Sequence, residues 1–174
     1  MPAPRFTEQL NLQIGNELAA HNQYLAVAVH YDAETMPRMA AFFYEQALEE
    51  RDHAMMMIQY LLDTDAEVII PAVEATVSKF EDVIAPVRLA LEQEKRVTDQ
   101  VNTLLRIARE ENDFASEQFM QWFIKEQVEE VATMTDLLAV VTRNATDIED
   151  IEEYVAREHS AADDDPTAPR IAGA

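Results

Sequence analysis

The sequence predicts an all-α chain: a four-helix bundle with one long crossover and a short fifth C-terminal helix. Three observations predict it. Gly15 and Gly173 are the only glycines among 174 residues, so long regular elements with few tight turns are expected. Apolar residues recur at 3.6-residue spacing over four long stretches. The middle connection between these stretches is much longer than the outer two.

The first helix is expected from about Phe6 to Tyr31, with Leu10, Ile14, Leu18, His21, Leu25 and Ala28 on one side. The run Asp32-Ala33-Glu34-Thr35 breaks the pattern. Thr35 suits the cap of the second helix and Pro37 its first turn. That helix runs to about Asp63, and Met39, Phe42, Phe43, Gln46, Glu50, His53, Met57 and Tyr60 form its stripe. The third is expected from about Asp82 to Glu110, with Val83, Val87, Ala90, Leu91, Glu94, Val97, Val101 and Leu105 on one face. After Glu111-Asn112-Asp113 the fourth runs to about Arg143, its face built from Met120, Phe123, Gln127, Val131, Met134, Leu138 and Val141. A fifth is expected from Asp147 to Arg157. Residues 1–158 form one domain, and 159–174, acidic and proline-containing, read as a disordered tail.

Short outer connections make the first and second helices antiparallel, and likewise the third and fourth. A helix of this size spans about 42 Å at ~1.5 Å per residue. The linker from Thr64 to Glu81, fully extended, reaches roughly 55–60 Å. It can run the whole bundle and leave the second and third helices parallel.

The net charge of -21 repels phosphate backbones and anionic membranes and attracts metal cations, so no nucleic-acid or membrane partner is expected. The absence of cysteine excludes disulfides, iron–sulfur clusters and thiol nucleophiles. Met1 to Glu8 carries no apolar signal-peptide core, which points to the cytoplasm.

Polar residues interrupt the apolar stripes at matching heights. Glu50 and His53 stand i, i+3 near the centre of the second stripe; Glu94 lies mid-stripe in the third; Glu17 edges the first; Gln127 and Glu130 form another i, i+3 pair in the fourth. Several carboxylates in a low-dielectric core repel one another and lose hydration, at several kcal/mol per ion. Either they protonate, or a multivalent cation neutralises them. A pair of divalent metals, typically ~3.5–4 Å apart, supplies that charge. Oxygen-rich ligands with one imidazole suit iron, manganese or zinc, and redox chemistry is conditional on iron. Glu49, Glu126 and Glu129 flank this set on a rotated face, either as solvated helix surface or as a third metal position or a path carrying oxidised metal away from the pair. Tyr24, two turns beyond Glu17, leans towards Glu94 as a structural tyrosine or an electron donor. Trp122 is expected to point away from the metal face, His21 to be a satisfied core histidine, and Met55, Met56 and Met57 to fill core and interface.

These residues resemble the bacterial non-haem ferritins over nearly the whole chain, from about Phe6 to Arg157. The resemblance is carried by Asn16-Glu17 with Tyr24, by Glu49-Glu50-Arg51-Asp52-His53-Ala54, by Gln93-Glu94, and by Phe119-Met120-Gln121-Trp122-Phe123 leading into Glu126-Gln127-Val128-Glu129-Glu130. It implies a ferritin-like fold and a ferroxidase centre that oxidises iron(II) to iron(III) with dioxygen. Glu17, Glu50 and His53 would hold the first iron; Glu50 as bridge, with Glu94 and Glu130, the second, with Gln127 beside it. Glu49, Glu126, Glu129 and Glu130 match a third site. The resemblance also implies a homo-oligomeric cage of twenty-four subunits storing a ferric oxide mineral, with the fifth helices meeting at four-fold axes. The related bacterioferritins carry a second Glu-x-x-His where this chain has Gln127 and Glu130, and a haem-binding methionine where it has Arg51, so no haem is expected. Of two acidic residues at the three-fold pores of animal ferritins, Glu117 matches one and Met120 replaces the other. From the residues alone, a non-catalytic metal buffer and a bundle with protonated acids remain open beside the ferroxidase store.

Overall fold

The computed structural model describes residues 1–159 and 165–173; residues 160–164 and 174 lie outside the described residues. Five helices follow in order: α1 (Pro4–Ala33), α2 (Pro37–Asp63), α3 (Ala85–Glu110), α4 (Phe114–Arg143) and α5 (Ile148–Glu158). Pro4, Pro37 and Pro86 stand in the first turns of α1, α2 and α3, where a missing N–H removes no helical bond. Asp113 caps α4 by accepting from the Ser116 N–H at 3.1 Å, and its other oxygen accepts from Ala3 N–H at 2.9 Å. That second bond fixes the start of α1, two residues ahead of the expected Phe6, against the start of α4.

Two local expectations are corrected. Thr35 does not cap α2: its φ is 62°, the left-handed conformation that closes α1, and Met36 takes the N-cap position without a side-chain acceptor. Asp65 and Asn112 close α2 and α3 in the same conformation, at φ 54° and 55°. Helix α3 begins at Ala85 and not at Asp82, because the Asp82 carboxylate folds onto the helix start and accepts from the N–H groups of Ile84 and Ala85 at 2.9 and 2.7 Å.

Side-chain contacts give the helix directions. Phe6 meets Tyr60 while His21 meets Ala47, so α1 and α2 are antiparallel. Arg109 reaches Glu117 and Thr98 reaches Gln127, so α3 and α4 are antiparallel. Arg5 reaches Glu110 and Tyr24 reaches Glu94, which sets α1 against α3 and leaves α2 and α3 parallel. The crossover climbs the full length of α1. Asn11 bonds the backbone at Glu67 and Ile69, Gln23 bonds both backbone groups of Val77, and the Tyr31 hydroxyl donates to the Val83 carbonyl.

The hydrophobic core is divided. One cluster takes Tyr24, Ala47, Ala90, Leu91 and Met134 together with Ile151 and Val155 of α5. The other takes Ile14, Ala54, Val97 and Phe123, with Phe6, Leu10 and Leu61 beyond them. The gap lies at the same height in all four long helices. Met56 and Met57 are buried in the second cluster, as core filling requires.

The tail departs from the expectation of disorder where it is described. Residues 165–173 form no helix, yet Ala168 and Ile171 pack against the second cluster and Ala172 N–H bonds the Met55 carbonyl at 3.2 Å. Partial burial of two apolar side chains and a few polar anchors offset the ordering entropy that composition alone suggested would prevail. Residues 160–164 and 174 of the tail lie outside the described residues.

Gly15 sits where the crossover crosses α1, and a Cβ there would collide with the Pro71 ring. Glycine-to-alanine in a helix interior ordinarily stabilises by ~1 kcal/mol. Here Gly15→Ala is expected to destabilise by about 1 kcal/mol or more through overpacking, read as a lower urea midpoint. Adding Pro71→Ala should restore the midpoint; a Gly15→Ala chain as stable as the parent would refute this packing.

Candidate metal centre

The gap between the two apolar clusters is filled by Glu17 of α1, Glu50 and His53 of α2, Glu94 of α3, and Gln127 and Glu130 of α4. None is more than 5% exposed. For carboxylates this degree of burial is rare without compensating charge. Ligand atoms of Glu17, Glu50 and His53 all lie within 4.8 Å of one another, close enough to hold one metal ion. His53 Nδ1 stands 3.3 Å from Glu50 Oε2, while its Nε2 and Glu17 Oε2 are buried without a hydrogen-bond partner in the protein.

Neighbouring side chains aim these groups. Gln13, fully buried one turn before Glu17, donates to Glu17 Oε1 at 2.9 Å and to Gln100 at 3.1 Å. The Tyr24 hydroxyl donates to Glu94 Oε1. The Thr98 hydroxyl, 2.9 Å from Gln127 Oε1, turns that amide so its nitrogen faces Glu94 Oε2 at 3.4 Å. Gln13 and Thr98 were missed by sequence reasoning. Gln13 stands i, i+4 from Glu17 and was findable by that spacing; Thr98 carried no signal until the α3–α4 register was known.

The electrostatics follow from crowding acids in a dry layer. Burial, then Glu94 and Glu17, push the Glu50 carboxyl well above the usual range. Burial, then Glu94 and Glu49, do the same to Glu130. Glu94 rises to about 7, chiefly by burial, partly offset by the Tyr24 hydroxyl. Burial and the adjacent Glu94 and Glu50 also raise the Tyr24 phenol well above its ordinary value. Without a metal, the layer holds protons near neutral pH.

Glu49 and Glu126, half-buried, bring ligand atoms within 4.8 Å of His53 and of each other, so His53 stands between two acidic groups. Burial raises both carboxyls. Glu129 is exposed and lies 3.7 Å from Lys125, outside that group of three. These residues border a cavity of about 590 Å³ with Glu130, Trp122 and Asp165. Trp122 does not point away from the metal face as expected: its ring stands edge-on to His53 at 5.6 Å. Its position on α4 is one residue before the buried Phe123, and the tail folds over its outer side. His21 is a satisfied histidine, with Nδ1 2.5 Å from the Ala47 carbonyl. Glu117 pairs with Arg109 at 2.8 Å, and Met120 is buried in the core.

Helices that send carboxylates and a histidine into one buried layer define a carboxylate metalloprotein of the helix-bundle class, with a di-iron-type site. Comparison with known proteins refines this. Residues 7–144 match the ferritin-like domain of the ferritin family. A ferritin of Mycolicibacterium smegmatis, BfrB, is 50% identical over 169 residues, covering 97% of this chain and 93% of that protein. A bacterial non-heme ferritin of Staphylococcus aureus is 35% identical over 147 residues, covering 84% and 89%. An open-pore ferritin from Archaeoglobus fulgidus superposes with a TM-score of 0.84 at 28% identity, over 89% of this chain and 96% of that one. The chain belongs to the ferritin family, and it is an iron-storage protein with ferroxidase activity. Among the described residues no helix is long and apolar enough to cross a membrane.

The raised carboxyls set a pH dependence for the metal-free protein. An unfolded Glu94 titrates near 4.5 and the folded one near 7, so between these values the folded chain holds a proton that the unfolded chain has lost. Stability therefore falls as pH rises from 4.5 through 7 and is unaffected below that window. Glu94 alone accounts for a loss on the order of 3 kcal/mol. Glu50 and Glu130 extend it upward. Urea midpoints of the metal-free protein should decline over this range, and less steeply in Glu94→Gln. An equal slope in the two proteins would contradict the assignment.

Proposed function

We propose that Glu17, Glu50, His53, Glu94 and Glu130 form the ferroxidase centre. Glu17, Glu50 and His53 hold one iron(II); Glu50, as bridge, with Glu94 and Glu130 holds a second, and Gln127 lies beside it. The observation that carries this reading is the layer of four buried carboxylates and one histidine between two apolar clusters, with Glu17 Oε2 left without a partner among the described residues and His53 Nδ1 turned to Glu50. Iron is the substrate here. Two iron(II) ions side by side give one electron each to dioxygen. The protein's part is to gather, orient and exchange charge. Glu50, Glu94 and Glu130 exchange their protons for metal, so each ion that enters relieves the repulsion its ligands suffer without it. Gln13 and Thr98 hold Glu17 and Gln127 in position. Gln127 cannot take a negative charge, and no histidine stands at position 130. The second position is thus the weaker one, which favours release of oxidised iron over a permanent di-iron cofactor.

Glu49, Glu126 and Glu129 offer a third iron position beside His53 and Glu130, on the way out of the centre. The reading extends to a homo-oligomeric cage of twenty-four subunits in the cytoplasm, with the ferric mineral inside; the family's likeness supports it. The net charge of -21 suits a cation-collecting interior.

Anaerobic addition of iron(II) followed by air is expected to give a fast oxidation burst. Glu50→Ala and His53→Ala should slow that burst by about 100-fold or more, while each remains folded and assembled. Parent-like bursts in both variants would place the chemistry elsewhere.

A further inference from the structure

Metal-ligating histidines are usually aimed by a hydrogen bond from their second ring nitrogen. His53 turns Nδ1 to Glu50 at 3.3 Å, and its second nitrogen, Nε2, is buried with no hydrogen-bond partner among the described residues. The Glu49 and Glu126 carboxylates come within 4.8 Å of a His53 ring nitrogen without a hydrogen bond, and two aromatic rings stand nearly perpendicular to the imidazole. Trp122 stands at 5.6 Å and 73°, Phe123 at 5.8 Å and 75°. Phe123 is buried and needs no further support. Trp122 is only partly buried, on the side facing the acidic cavity, and its orientation has to be set from outside.

The tail sets it. The Trp122 indole N–H donates to Asp165 Oδ2 at 3.1 Å. That carboxylate oxygen also lies 3.3 Å from Lys125 Nζ, one turn along α4 from the indole's own. Its other oxygen accepts from the Thr167 N–H and hydroxyl at 2.8 and 2.6 Å, which closes a turn around the carboxylate. Ala168 and Ile171, packed on the core, hold this turn against the bundle.

We propose that Asp165 is a positioning residue for the ferroxidase centre, acting through Trp122 on the ring of His53. The inference rests on His53 being an iron ligand. The C-terminal segment thus replaces, through an aromatic ring, the hydrogen bond that His53 Nε2 does not make.

Trp122 is the only tryptophan in the chain, so its fluorescence reports the contact directly. Parent, Asp165→Ala, Asp165→Asn and Trp122→Phe would be prepared metal-free and sized to establish assembly. Cobalt(II) is then titrated anaerobically, its visible absorption reporting ligand geometry, and the iron(II) burst is measured separately. Asp165→Ala should expose Trp122 to acrylamide, weaken the first cobalt equivalent about tenfold with an altered spectrum, and slow the burst in proportion. Asp165→Asn, which keeps an acceptor for the indole, should recover most of the affinity. If Asp165→Ala does not assemble, Trp122→Phe carries the cobalt and burst arms, since it removes the indole donor that Asp165 holds: the same loss of cobalt affinity is expected, and parent-like affinity and spectrum in Trp122→Phe would overturn the proposal. Cobalt affinity and spectrum within about twofold of the parent, in a variant whose Trp122 is released, would overturn the proposal. So would a Trp122 that stays shielded in Asp165→Ala. A parent that binds cobalt normally but shows no burst would instead count against the ferroxidase assignment, leaving the positioning role intact.

Discussion

The rest of the structure depends on one unfavourable feature: four carboxylates buried in a layer through the middle of the bundle. Loss of hydration first, and their mutual repulsion second, push Glu50 and Glu130 well above the usual carboxylate range and Glu94 to about 7. The fold tolerates the layer because it is bracketed. Apolar clusters above and below it, tied by α5 at one end and by the start of α1 at the other, supply the burial that the layer forfeits. A fixed set of helices around an under-neutralised centre is a site that gains stability by taking up cations. Structure and function share this cause.

The same layer explains why so much was legible in the sequence. A glutamate inside an apolar stripe is ambiguous alone; at matching heights in four stripes it is a statement about one place in space. The crossover supplied the matching, since it is long enough to run the whole bundle and leave α2 and α3 parallel. What was not legible depended on tertiary register. Thr35 has the side chain of a cap, but the tight α1–α2 turn needs a left-handed residue at that position and takes it. Trp122 was placed by periodicity on an outer face, and helical spacing cannot see that the tail closes over that face and makes it an inner one. Asp165 stood in a run of three aspartates whose composition argued for disorder. Its partners, Trp122 and Lys125, are 43 and 40 residues away in sequence and close only in the folded chain.

The buried layer is asymmetric. One half has a glutamate–histidine pair and a second carboxylate with an unpartnered oxygen. The other half has an amide where a second glutamate would sit and a carboxylate where a second histidine would. Amide orientation by Thr98, carboxylate orientation by Gln13 and Tyr24, and ring orientation by Trp122 and Phe123 are all made by groups that carry no formal charge of their own. In the proposed ferroxidase centre, total charge can then change as iron arrives and leaves without the geometry collapsing.

The central claim is that metal ions compensate the buried acid layer at a defined place. Anomalous diffraction at the iron edge, from crystals exposed to iron(II) without air, tests it most directly. The account predicts two iron positions about 3.5–4 Å apart between Glu17, Glu50, His53, Glu94 and Glu130. Iron found only on the exposed acidic surface, with that layer empty at saturating iron(II), would contradict it.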